Sequence, residues 1–277
     1  MNDGRLRVRP PAVAGLFYPS DPDELRAMVG SDLDEALKRL AASASDGGAA
    51  ATPPHAVIAP HAGYVYSGPV VASAYARVVP RRHEVRRVVL LGPSHRVPLR
   101  GMALPTVDAL ATPLGAVPVD DAVRRTLAGR ADVVLDDRPH AAEHSLEVHL
   151  PFLQVVLDEG WTLVPVVVGA TSAGSVADLL TVVWGGPETL VVVSTDLSHY
   201  HPHDTATVLD TATAAAVVAC RWRDIEPERA CGAHPLRGLL AEAERRHLPV
   251  ELVDLRTSGD TAGDRDRVVG YGAFTVG

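Results

Sequence analysis

The chain carries only two cysteines, Cys220 and Cys231, in 277 residues. That is too few for a disulfide framework, so the fold must hold by packing, as expected in a reducing compartment. Aromatic residues are scarce at 4%, and Lys38 is the single lysine. With abundant Ala and Val, the arginine-for-lysine bias reads as compositional and carries no functional message. Positive charge is in deficit: 26 basic against 34 acidic side chains give a net charge of −8. No run of five Lys or Arg occurs, which leaves no electrostatic footprint for a nucleic-acid partner. Long apolar runs are also missing. The longest uncharged stretch, Trp161 to Ala177, is broken by Pro165, Gly169 and Gly174, short of the roughly 20 apolar residues of a membrane span. The start, MNDGRLRVRPPAV, has charges with no apolar stretch behind them. Neither a signal peptide nor a membrane partner is therefore expected, and a cytoplasmic location follows. What is present is a globular composition, 47% apolar and 22% charged, with twelve histidines. Twelve histidines beside two cysteines hint at metal binding.

Residues 21–41 carry Leu25, Met28, Val29, Leu33, Leu37 and Leu40 behind an acidic first turn, the spacing of an amphipathic helix. Residues 42–54 read as a flexible surface loop. Four apolar runs follow at wide intervals: His55–Ala59, Val88–Gly92, Thr162–Val168 and Leu190–Thr195. They lack polar alternation, as strands buried on both faces do. Helical patterns lie between them at Gly68–Val78, Asp120–Leu127, Glu143–Glu159, Ser172–Trp184, Thr205–Cys220 and Pro235–Arg246. The tail from Val250 reads as two strands joined by a polar connection. This alternation predicts an α/β fold with a mostly parallel or mixed central sheet covered by helices. No repeat, later linker or composition shift divides the chain, so a single domain over residues 1–277 is expected.

Three of the predicted strands run straight into polar punctuation: Pro60-His61, Pro93-Ser94-His95 and Asp196-Leu197-Ser198-His199. Loops leaving the carboxyl ends of parallel strands meet on one sheet edge, where ligands bind in open α/β folds. His61, His95, Asp196 and His199 are thereby predicted to converge, a composition suited to metal or acid–base chemistry. Cys231 lies just before a predicted helix, where the dipole is expected to lower a thiol pKa; a buried, inert cysteine is the alternative reading. Cys220 sits in an Ala/Val-rich helical run and reads as core. His144 and His149 stand about 140° apart on the predicted helix from Glu143, so they do not form a zincin-like pair. His144, at the helix entry, is a candidate for the site and His149 for the scaffold. Glu143 and Glu147 read as caps or partners of Arg. Ser94, Ser194 and Ser198 keep a Ser/His/Asp hydrolase open by residue type, but none sits in a strand-turn-helix elbow.

The segments APHAGYVYSG, LLGPSHRVPLRG, TPLG, EHSLEVHLPFLQ, VPVVVG, VSTDLSHY, CGAHP and YGAFTV, in this order and behind the opening AVAGLFYPSDPDEL, resemble the Memo family. The bacterial and archaeal form is called AmmeMemoRadiSam system protein B. The resemblance covers nearly the whole chain. It implies a fold similar to class III extradiol dioxygenases, which hold non-haem Fe(II) with two His and one Glu. The family's triad of two His and one Cys falls on His61, His95 and Cys231. His199 resembles the dioxygenases' acid–base histidine, and Asp196 and His144 match further pocket residues. A thiolate in place of the carboxylate is a soft ligand that suits copper or zinc as well as iron. The resemblance thus implies a transition metal, Fe(II) foremost, and an oxygenase-like redox reaction on a small aromatic or diol-like molecule. His199 would move the proton, the usual task of a catalytic imidazole. The alternative it leaves open is a protein that holds copper, another ligand or a peptide in the same pocket without turnover. Asp196 is left as either a ligand or a group that orients a histidine. The family name further implies radical SAM and AMMECR1-like proteins as partners.

Overall fold

The computed structural model describes residues 6–45 and 53–277. Its strands, in chain order, are β1 (Val8–Arg9), β2 (Ala56–Ala59), β3 (Arg87–Pro93), β4 (Met102–Leu104), β5 (Ala109–Thr112) and β6 (Gly115–Pro118), then β7 (Val133–Leu135), β8 (Thr162–Val168), β9 (Thr189–Ser194), β10 (His199–His201), β11 (Val250–Thr257) and β12 (Val268–Val276). The helices are α1 (Pro22–Ser45), α2 (Tyr64–Ala76), α3 (Asp121–Leu127), α4 (Arg138–Ala141), α5 (Leu150–Val156), α6 (Ala173–Val183), α7 (His203–Val218) and α8 (Ala233–Arg246). Nine strands form one mixed sheet in the order β10-β12-β2-β9-β3-β8-β4-β7, with β11 also paired to β12. Its centre, β2-β9-β3-β8, is parallel. β12 joins β2, and β4 joins β8, in antiparallel fashion. A small second sheet is built from β1, β5 and β6.

The unbroken apolar runs follow from burial on both faces. Val57, Ala59, Val88, Leu90, Leu190 and Val192 enter one core, which α1, α2 and α5 cover. Their neighbours Ala56, Ile58, Val89, Leu91, Val191 and Val193 enter the other, which α6, α7 and α8 cover. Among the described residues no helix is long and apolar enough to cross a membrane.

Three expectations need correction. The first helix continues to Ser45, so the expected loop at 42–54 starts later, and its residues 46–52 lie outside the described part. α2 begins at Tyr64 rather than Gly68, with Pro69 in its second turn and Tyr64 buried against Phe152. No helix spans Glu143–Glu159: a turn and a 3₁₀ segment at Glu147–His149 lead into the short α5. Pro151 explains the late start. Without an N–H, and clashing with the carbonyl four residues back, it fits the first turn of a helix and not its middle. His144 and His149 accordingly share no helix. His149 is buried in the core with its Nδ1 3.1 Å from the Tyr75 hydroxyl, a scaffold position.

Candidate metal centre

Register places the site. Ala59 of β2 pairs with Ser194 of β9, Leu91 of β3 with Val193, and Pro93 with Val168 of β8. The carboxyl ends of these parallel strands are therefore level, and His61, His95 and Asp196 leave them side by side. The turn before α8 closes the group from beyond the edge. Its Gly232 lies so near β9 that a Cβ there would sit 2.5 Å from the Ser194 carbonyl oxygen. That close approach brings Cys231 to the strand ends.

One ligand atom each from His61, His95 and Cys231 lie within 4.8 Å of one another. The same holds for Asp196, His199 and Cys231, and for His95, Glu143 and His144. All six residues singled out in the sequence meet here. Among them His61 and Asp196 are buried, while His95, His144, His199 and Cys231 keep some exposure.

Hydrogen bonds fix which ring nitrogens face the centre. Ser194 Oγ donates its only proton to the Ser145 carbonyl at 2.6 Å and lies 2.6 Å from His61 Nδ1. Having no second proton, the hydroxyl must accept from Nδ1–H. His61 Nε2 is left with its lone pair, 3.3 Å from Cys231 Sγ. His95 Nδ1 donates to Glu143 Oε1 at 2.9 Å, which likewise frees its Nε2. His199 Nδ1 donates to the Leu197 carbonyl at 2.9 Å. These are the partners that ordinarily fix the tautomer of ligating imidazoles.

Burial would raise the Glu143 carboxyl, but the hydrogen bond and charge of His95 and the amides of Ser145 and His95 outweigh it and hold the group at about 2. Burial, then the neighbouring histidines, push His61 well below its usual value. Burial likewise lowers His144 to about 4 and raises Asp196 to about 6. Asp196 Oδ1 accepts the His61 amide at 2.8 Å, and Oδ2 lies 3.9 Å from His61 Nε2. Cys231 reverses an expectation: burial, reinforced by the Asp196 carboxylate, pushes its thiol up instead of down. The helix dipole is the weaker influence here, so a thiolate at this position needs a cation beside it.

Ser194 and Glu143 were not readable as orienting groups. Ser194 is fully buried, its proton committed to a carbonyl, and it offers no exposed nucleophile for a hydrolase. Ser94 donates to the Val97 carbonyl instead of a histidine. Glu147, not Glu143, is the residue paired with an arginine, Arg9. Glu147 also accepts the amides of Ala12 and Val13 and the Tyr18 hydroxyl. It thereby ties down the segment whose Phe17 ring lies 4.7 Å from that of His144. His144 in turn stacks on His95 at 4.8 Å. Cys220 lies two residues beyond the end of α7, half-buried against the second core, so it packs on the core without being enclosed in it or in the helix.

Residues 9–275 match the family model described as Memo-like protein. A MEMO1 family protein of Methanopyrus kandleri is 36% identical to the chain, covering 96% of it and 98% of the relative. MEMO1 family proteins of Sulfolobus acidocaldarius and Aquifex aeolicus are each 32% identical, covering 95% and 96% of this chain and 97% and 98% of their own. The fold is also similar to that of an uncharacterized Escherichia coli K12 protein of known crystal structure. The TM-score is 0.54 at 14% identity, over 80% of this chain and 99% of that one.

Proposed function

Because the chain belongs to the Memo-like protein family, we propose that it binds a transition metal ion through His61, His95 and Cys231 and acts as an oxygenase-like redox enzyme on a small aromatic or diol-like molecule. The observation that carries this reading is the trio of donor atoms within 4.8 Å, with both imidazole Nδ1 positions occupied by Ser194 and Glu143. The residues fit such an ion: both imidazoles have Nδ1 engaged and turn Nε2 to the centre, and the Cys231 thiol lacks the counter-charge that an ion would supply. Fe(II) leads, while the sulfur also suits copper or zinc. When bound, the metal supplies a Lewis-acidic, redox-active centre with positions open beyond its three protein ligands.

The chain's own groups supply positioning and proton transfer. His199, its Nδ1–H committed to Leu197, presents Nε2 as the base that takes a hydroxyl proton from the bound molecule and later returns it. Asp196 holds the His61 loop through the backbone amide and stands beside His199, so it steadies the charge that develops on that ring. His144, stacked on His95 and with the Phe17 ring tilted against it, forms a wall of the site. Such proton transfer is worth roughly 10²–10⁴-fold. The test is oxygen uptake by protein loaded anaerobically with Fe(II) and offered a panel of catechols. We expect uptake with at least one catechol and a loss on His199→Ala of that order. No uptake by wild type, or uptake unchanged by His199→Ala, overturns the reading. Radical SAM and AMMECR1-like proteins are the partners we propose, on family grounds.

A further inference from the structure

Cys231 also forms part of the wall of an open cleft of about 570 Å3, whose lining includes apolar Pro98, Leu99 and Val168 and polar Arg100 and His234. That volume lies within the range of small-molecule sites. The charge of the lining is one-sided. In a chain with eight more acidic than basic side chains, no Asp or Glu among the described residues lines this cleft. Arg100 is exposed, and its guanidinium has no hydrogen bond or ion pair among the described residues. Many of the other arginines are paired, Arg87 with Asp120 and Arg130 with Asp132 among them.

The backbone that carries Arg100 is built in place. Ala170 N–H donates to the Leu99 carbonyl at 2.8 Å, Gly101 N–H to the Ala170 carbonyl at 3.0 Å, and Gly169 N–H to the Gly101 carbonyl at 2.9 Å. Gly169 permits this clamp, because a Cβ there would lie 2.1 Å from the Leu99 carbonyl oxygen. His234 is anchored to the same stretch, its Nδ1–H donating to the Thr171 carbonyl at 2.9 Å, and its Nε2 is left for the cleft. An unpaired guanidinium carried on an anchored backbone, lining one cleft with apolar side chains, the His234 imidazole and Cys231, is a receptor for a compact molecule with one anionic head.

We propose that the molecule taken by this site is an anion, a carboxylate or phosphate on a small apolar or aromatic body, with Arg100 as the residue that binds its charge. The proposal rests on the reading of the neighbouring centre as one that acts on a small molecule, and it names that molecule's class. Benzoate and benzamide test it, since they share a shape and differ in charge, and phenyl phosphate separates phosphate from carboxylate. Each is titrated calorimetrically into the full chain as purified, with metal content determined on the same samples. Wild type is expected to bind benzoate or phenyl phosphate at least about tenfold more tightly than benzamide. Arg100→Gln removes that preference, a loss on the order of tenfold to a hundredfold for a charge-assisted contact, and leaves benzamide binding and metal content unchanged. Arg100→Lys restores part of it. Equal binding of all three by wild type, no binding of any, or an anion preference that survives Arg100→Gln overturns the proposal. An Arg100-dependent preference in protein that neither holds metal nor consumes oxygen supports the anion site while rejecting the redox reading.

Discussion

Glu147→Gln probes the strut that links the amino-terminal segment to the wall of the site. The Glu147 carboxylate is fully buried and accepts from the Arg9 guanidinium, the Ala12 and Val13 amides and the Tyr18 hydroxyl. Arg9 is itself 6% exposed and also donates to the carbonyls of His140 and Glu143, both at 2.7 Å. A glutamine keeps the shape but offers one acceptor oxygen, and its NH₂ group faces donors. Removing one partner of a buried ion pair costs about 3–5 kcal/mol, mostly because the remaining charge stays buried and unpaired. An unfolding entropy of roughly 2.1 cal/mol/K per residue gives about 0.6 kcal/mol/K for a chain of this length, hence a fall in Tm of about 5–9 °C. Thermal unfolding followed by circular dichroism, with chelator present in all samples, reads the shift. The double variant Arg9→Met/Glu147→Leu should lose less than Glu147→Gln, because it leaves no buried charge. A Glu147→Gln melting curve within about 1 °C of wild type would refute the reasoning.

Ser194→Ala removes the acceptor that fixes His61 Nδ1–H. It should weaken metal binding roughly 10–100-fold, the usual effect of losing such a partner, as read by competition with a chromogenic chelator; equal affinity would show that the hydroxyl does not set the ring. Stability should also fall toward acid. Burial pushes His140 and His144 down to about 4 and His149 to about 3, while it raises Asp32 and Asp196 to about 6. The lowered histidines contribute stability that is present above pH 6.5 and lost as pH falls toward 4; the raised carboxyls oppose them between about pH 4 and 6. His61, pushed well below its usual value, joins the lowered histidines, so they outnumber the raised carboxyls and the unfolded, metal-free chain binds more protons near pH 5, a slope of at least about 1 kcal/mol per pH unit. Urea midpoints at pH 7 and pH 5 measure it, and a midpoint that rises toward acid would contradict the assignment.

What the sequence made legible follows from which interactions are local. β8 spans Thr162–Val168 as expected, because a strand buried on both faces writes its burial into consecutive side chains. His61, His95 and Asp196 could be placed together because strand exits in a parallel sheet share an edge. Their orienting partners could not. Ser194 meets His61 only through the β2–β9 register, and Glu143 meets His95 across 48 positions of sequence. The thiol of Cys231 went the other way from a local helix-dipole argument because its burial, reinforced by the carboxylate of Asp196 35 positions away, is set by the tertiary fold. The helix expected from Glu143 failed at Pro151, whose ring set the helix start more firmly than the apolar pattern did.

Metal analysis of anaerobically purified wild type beside Cys231→Ser tests the proposed centre most directly. One equivalent of a transition metal per chain in the wild type, and a large loss in Cys231→Ser with folding retained, is the predicted result. Equal metal in both proteins would remove Cys231 from the ligand set and contradict the His61, His95 and Cys231 centre.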